Sequence, residues 1–269
     1  MLSYTTIRVE TNGSLALITL NRPEKRNAIS ATMIAELLAA LKDVESGSER
    51  VAIITGAGKA FCAGMDLDAL KSLATQSPEQ NLADARRTAG FFRRLWSFPK
   101  PLIAAVNGAA LAGGCGIATL CDFTLAVPEA KFGYTEVRVG FMPALVSMFL
   151  ERQVGEKLAR DLFLTGRILD ADEAKAMGLI TTVVSAGQLL PAARELAATL
   201  IANSPGSLLA TKRLLVRAGE ADLDRRIELA VAESVAIRST PDFREGLAAF
   251  LEKREPRWPS AQQKIGQKK

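Results

Sequence analysis

The sequence predicts an α/β protein whose strand-and-helix core gives way to an all-helical end. Short β-branched apolar runs recur at 51–55, 102–106, 123–127 and 180–184, and amphipathic helical patterns fall between them. After about residue 186 the strand signals stop and four helical patterns follow. The expected division is therefore a core over 1–200 and a helical C-terminal subdomain over 201–269, packed on the core or on another subunit. A chain of 269 residues, 48% hydrophobic and 23% charged, has an ordinary globular composition and the length to bury a sizeable core.

Taken in order, the segments Ile7–Glu10 and Ser14–Leu20 alternate apolar residues around Thr11-Asn12-Gly13, and Asn-Gly favours the positive φ angles of a type I′ hairpin turn. A helix follows: Ser30 can cap it, Ile34, Leu37, Leu38, Leu41 and Val44 share one face, and Gly47 can close it in a left-handed conformation. Strand 51–55 leads to a helix after Asp66 and a long amphipathic helix near 79–97. Strand 102–106 leads to a helix from Gly113-Gly114 to Leu120, then to short strands at 123–127 and 131–134; 180–184 is the last strand. The terminal helices are expected at about 187–202, 205–218, 222–238 and 241–253, separated by Ser204-Pro205, Gly219 and Thr240-Pro241.

Composition excludes several chemistries. The chain has no histidine, so Ser-His-Asp and Cys-His triads and His-containing metal sites are ruled out, and acid/base work at neutral pH needs a shifted carboxyl. Three cysteines, Cys62, Cys115 and Cys121, form no CxxC pair and fit a reducing compartment. The N-terminus has no signal-peptide pattern, so the cytoplasm is expected. Pro101 to Cys121 is uncharged and long enough to cross a bilayer, but its glycines and Asn107-Gly108 turn give strand, loop and buried helix instead. The net charge of +5, with Lys264, Lys268 and Lys269 at the end, fits a solvated tail and is compatible with anionic small molecules; nothing beyond it suggests nucleic acid.

Three segments can carry chemistry. Two glycine-rich loops after strands, Thr55–Asp66 and Asn107–Gly116, match neither a phosphate loop nor a dinucleotide fingerprint. Such loops can present backbone amides at a helix start, as an oxyanion hole requires, or can serve only tight turns and close packing. The third segment, Lys131–Phe141, sets Glu136 among apolar and aromatic residues, where desolvation would raise its pKa toward neutrality; a salt bridge with Arg138 is the other reading. Cys115 and Cys121 read as core, Arg86-Arg87 and Arg93-Arg94 as a solvated helix face, and the Met and Phe residues of 141–149 as core.

Asn21–Ala28, Ala60–Leu67, Asn107-Gly108 through Cys121-Asp122, Phe132-Gly133 through Gly140, Leu164-Thr165-Gly166 and Phe250–Arg254 together make the chain resemble the crotonase superfamily, the enoyl-CoA hydratase/isomerase family, over nearly its whole length. The resemblance implies a crotonase-like spiral of ββα units, a C-terminal helical trimerisation region and a trimer or a hexamer of two trimers. It assigns the amides of Met65 and Gly113 to an oxyanion hole for the thioester carbonyl of an acyl-CoA, and coenzyme A contacts to Lys25, Ala63, Asp66 and Leu67. Phe250 and Lys253 would reach the nucleotide end from a neighbouring subunit. No cofactor is implied, coenzyme A being part of the substrate. Of the two glutamates that hold water in the family's hydratases, the second maps to Glu136 and the first to Gly116. Hydration of a 2-enoyl-CoA is the leading expectation, with Δ3,Δ2-enoyl-CoA isomerisation by Glu136 alone and non-catalytic acyl-CoA binding as alternatives.

Overall fold

The computed structural model describes residues 4–218 and 222–260, so Gly219, Lys264, Lys268 and Lys269 lie outside the described residues. Strands β1 (Ile7–Asn12) and β2 (Leu15–Leu20) form the antiparallel hairpin. Asn12 is the last strand residue rather than part of the turn, and of the two connecting residues only Gly13 has a positive φ, +57°. A type I′ turn needs positive φ at both, so the turn is not the expected one; glycine at the first position is the type II′ pattern.

A 3-10 turn at Pro23–Lys25 leads into helix α1 (Ala31–Ser46), capped by Ser30, whose Oγ accepts from the Met33 amide at 3.1 Å. Gly47 does follow this helix, but in an extended conformation (φ −82°, ψ −176°), its amide bonded to the Asp43 carbonyl. The expected left-handed closure is therefore replaced by a direct exit toward the next strand.

The repeat that follows is the organising device. Strands β3 (Val51–Gly56) and β4 (Ala60–Cys62) precede helices α2 (Leu67–Leu73) and α3 (Pro78–Trp96). Strands β5 (Leu102–Val106) and β6 (Ala109–Leu111) precede α4 (Gly113–Leu120). Strands β7 (Phe123–Ala126) and β8 (Lys131–Gly133) precede α5 (Ala144–Thr165). In each unit the first strand joins one sheet and the second another. Strands β3, β5 and β7 pair in parallel, as do β4, β6 and β8, so the chain winds as successive ββα turns.

The larger sheet runs β1-β2-β3-β5-β7-β10, closing on β10 (Thr182–Val183); the smaller runs β4-β6-β8-β9, its edge strand β9 (Leu169–Asp170) antiparallel. Strand β5 is buried throughout as Leu-Ile-Ala-Ala-Val, the continuous apolar pattern of a parallel strand covered on both faces. The short helix α6 (Ala171–Ala176) and helix α7 (Leu189–Ala202) complete the core. Helices α8 (Pro205–Ala218), α9 (Leu223–Arg238) and α10 (Pro241–Glu252) end the described chain, α9 packing against both α3 and α5. Among the described residues no helix is long and apolar enough to cross a membrane.

Candidate active site

Two loops converge because glycines let their backbones meet. A Cβ on Gly114 would lie 2.2 Å from the Cys62 carbonyl oxygen, and one on Gly64 (φ +93°) 3.0 Å from the Ala112 Cβ. The first loop is held from both sides. The Ile29 amide donates to the Gly64 carbonyl at 2.7 Å and the Asp66 amide to the Ile29 carbonyl at 2.9 Å, leaving the Met65 amide between them without a partner among the described residues. Below it, Asn27 (φ +55°) is fully buried and its side chain ties the Arg22 amide to the Ala57 and Ala60 carbonyls.

Asp66 fixes the loop further. Its carboxylate pairs with the Arg22 guanidinium at 2.7 Å and caps α2 by accepting from the Asp68 amide at 2.9 Å. Burial alone would raise its pKa; the Asp68 N–H and Arg22 outweigh it and hold the carboxyl below its ordinary range. Asp66 thus braces the loop from within the fold and does not line the cavity described below.

The second loop is strained. Ala112 sits at φ +50°, ψ −127°, a region that residues with side chains rarely adopt, fixed by the hydrogen bond its N–H donates to the Gly133 carbonyl at 2.7 Å. Gly113 follows as the first residue of α4, where the orphan N–H groups and the positive end of the helix dipole lie. The Gly113 amide, like that of Met65, has no partner among the described residues.

Both amides border a cavity of ≈ 280 Å³ whose lining also includes Glu136, Ala63, Leu67 and Phe250. Glu136 stands on a 3-10 turn, Glu136–Val139, that follows β8. Helix α10 presses on this turn so closely that a Cβ on Gly246 would lie 2.4 Å from the Val139 carbonyl carbon, and one on Gly140 2.4 Å from the Asp242 carbonyl oxygen. The Glu136 Oε2 is buried with no hydrogen-bond partner, and Arg138 makes no ion pair with it. Desolvation pushes the Glu136 carboxyl up to about 7, the range of a proton carrier at neutral pH. Of the two readings of this segment, the desolvated carboxyl is the one observed.

Gly116 lies one turn into α4, where a Cβ would lie 2.5 Å from Val146 Cγ1 and 3.1 Å from the Phe92 ring. Apolar side chains fill the space that a second glutamate would need. The buried thiols offer no substitute: desolvation pushes Cys62 and Cys115 up to about 12, and Cys121 also upward, so none ionises near neutrality. Among the described residues, no cluster of three Cys, Asp or Glu side chains could hold a metal ion.

The remaining expected contacts divide. Ala63 and the exposed Leu67 border the cavity, whereas Lys25 is exposed on its 3-10 turn, 3.6 Å from Asp68, and Lys253 is exposed at the left-handed end of α10. Phe250 lines the cavity of its own chain. The arginines of α3 are not simply a solvated face. Arg86 and Arg93 pair with Glu228 and Asp224 of α9, Arg94 pairs with Glu45, and Arg87 borders the cavity. Sequence reasoning missed Arg238, Ser234 and Thr88 in the cavity wall. The available signal was a small and a charged residue, Ser234 and Arg238, continuing the spacing set by Ala230 on the buried stripe of α9.

A ββα spiral brings two amides without partners among the described residues and one desolvated carboxyl to a single apolar cavity, an arrangement that can hold a developing oxyanion on the backbone and move a proton with a carboxylate. The profile of the enoyl-CoA hydratase/isomerase family matches residues 10–262, and the chain belongs to that family. A relative from Thermus thermophilus is 44% identical over 253 residues, covering 94% of this chain and 100% of its own. The short-chain-enoyl-CoA hydratase of Clostridium acetobutylicum is 35% identical, covering 92% of this chain and 95% of its own. The crystal structure of an enoyl-CoA hydratase/isomerase from Xanthobacter autotrophicus Py2 superposes with a TM-score of 0.87 at 35% identity, covering 96% of this chain and 100% of that one. The expected crotonase-like architecture is therefore the observed one.

Proposed function

We propose that the protein hydrates a 2-enoyl-CoA to a 3-hydroxyacyl-CoA, the reaction named for its Clostridium relative. The observation that carries this reading is the meeting, in one apolar cavity, of two unpartnered amides, Met65 and Gly113, with the buried Glu136 carboxyl. The thioester carbonyl oxygen takes the two amides. Glu136 accepts a proton from water as the water oxygen bonds to C3, the double-bond electrons move onto the carbonyl oxygen as an enolate, and Glu136 returns the proton to C2. A carboxyl near pKa 7 can do both, since neither protonation state is far in energy from the other. No cofactor is required beyond the coenzyme A of the substrate. Exposed Lys25 and Lys253 are available to its phosphates, and Ala63 and Leu67 to its pantetheine arm.

Isomerisation is the second reading, favoured by one observation: Val146 and Phe92 occupy the space beside Gly116, so a single carboxyl serves the cavity there. Glu136 would take a proton from C2 of a 3-enoyl-CoA and return it to C4. Incubating 2-enoyl-CoA and 3-enoyl-CoA separately in heavy-oxygen water, with product mass spectrometry, separates the readings. Label in the product means hydration, a moved double bond without label means isomerisation, and acyl-CoA binding with neither leaves only a binding protein. Wild-type turnover by Glu136→Gln on both substrates would remove Glu136 from the chemistry. We further infer a homotrimer or homohexamer, acting in the cytoplasm on fatty acyl chains; the exposed Leu214, Leu215 and Leu229 on α8 and α9 supply an apolar surface for it, and sedimentation velocity tests it.

A further inference from the structure

The cavity does not end in apolar side chains. Beyond Phe92 its wall runs along α3 to Thr88 and Asp84, with Arg87 at the rim, and crosses to Ser234 and Arg238 on α9. Phe92 marks the reacting end, because its ring lies 3.5 Å from where a Gly113 Cβ would stand. At about 1.5 Å of rise per residue, Thr88 stands about 6 Å and Asp84 about 12 Å further along the helix.

Arg238 is only 2% exposed. All three of its hydrogen bonds leave from Nη1, to the Asn81 carbonyl at 3.2 Å, Asn81 Oδ1 at 3.1 Å and Asp84 Oδ2 at 3.0 Å. Its Nε is buried without a partner. Asp84 is shared, since Arg87 Nη2 also holds it at 2.7 Å, so two guanidinium groups face one carboxylate. The Phe141 ring covers Arg238 at 5.7 Å, and the buried Thr88 and Ser234 hydroxyls make no hydrogen bond among the described residues. Burial works against the charge on Arg238, and Asp84 opposes that effect only in part.

A methyl-terminated acyl chain reaching this end would leave both hydroxyls unpaired beside a buried guanidinium whose charge is only partly balanced, which is unfavourable. A carboxylate would accept from both hydroxyls and would add the negative charge that Asp84, shared with Arg87, supplies to Arg238 only in part. We propose that the Arg238, Thr88 and Ser234 cluster selects acyl chains with a carboxylate at their far end, so that the preferred substrate is a dicarboxylic 2-enoyl-CoA. This rests on the acyl-CoA reading above and names the substrate class for the same cavity.

The test is steady-state kinetics of the full-length protein on 2-enoyl-CoA series ending in methyl, hydroxyl or carboxylate, matched in carbon count. The expected result is a kcat/KM for the carboxylate series at least about tenfold above the methyl series at the best length. Arg238→Gln is expected to bring that ratio toward one, and Ser234→Ala to lower it, with melting curves checking that each variant folds. Equal or greater activity on the methyl or hydroxyl series at every length would overturn the proposal, as would an unchanged ratio in a folded Arg238→Gln. Should Arg238→Gln not fold, the wild-type ratio and Ser234→Ala decide alone. Failure to transform any 2-enoyl-CoA would instead overturn the underlying hydratase reading.

Discussion

Burying the Glu136 carboxyl is a cost to the fold, and that cost can be measured. The carboxyl titrates near 4.5 in an unfolded chain and is pushed up to about 7 by burial in the native protein. The native state therefore binds this proton more tightly than the unfolded state, and stability falls as pH rises from 4.5 through 7. At about 1.36 kcal/mol per pH unit, the interval corresponds to about 3 kcal/mol lost by pH 8. Glu136→Gln removes the titration while keeping the shape of the side chain. The stability difference between variant and wild type, measured by urea unfolding, is expected to move by about 3 kcal/mol in favour of the variant between pH 4.5 and 8. Every other titrating group cancels in that difference. Parallel stability curves for the two proteins across this range would refute the desolvated carboxyl, and with it the proton carrier in the proposed reaction.

Three further outcomes follow from the geometry. Gly116→Glu, which restores on paper the first of the two glutamates, is expected to lose about 1–3 kcal/mol of stability against Val146 and Phe92 and to gain no hydration rate; melting curves and kcat measure both. Arg22→Ala strips the partner from the buried Asp66, at a cost of about 3 kcal/mol or more in urea unfolding, and lets the Met65 loop shift, with kcat/KM falling at least about tenfold. Ala112→Gly relieves a strained φ/ψ pair whose cost exceeds the unfolded-chain entropy that glycine adds, so thermal unfolding should show a gain of up to about 1 kcal/mol.

The sequence made most of the scaffold legible because its signals are local. Strand 102–106, the α4 helix from Gly113 to Leu120 and the Ser30 cap each follow from a run or a residue whose physics acts within a few positions. Strands β4 and β6 did not announce themselves, because three residues inside a glycine-rich loop show no periodicity; only pairing with a neighbouring strand makes them strands. Helix α5 was hidden by a break at Gly155 (φ +79°), which interrupts its apolar repeat. At the site, Glu136 stood out as one carboxylate in an apolar segment. Arg238 did not, since its role depends on α9 lying across α3, a contact that joins residues more than a hundred positions apart. For the same reason the packing of Val146 against Gly116 could not be read from either residue alone.

The meeting of Gly140 with Asp242, and of Gly246 with Val139, makes helix α10 a thermodynamic partner of the Glu136 turn. Any ligand that binds only when the Glu136 turn is in place must, by mass action, also strengthen the docking of α10. Protease sensitivity of the chain after residue 240 then becomes a gauge of cavity occupancy, with cleavage slowing as acyl-CoA is titrated in. A chain shortened at that point loses the surface that holds its carboxyl in place.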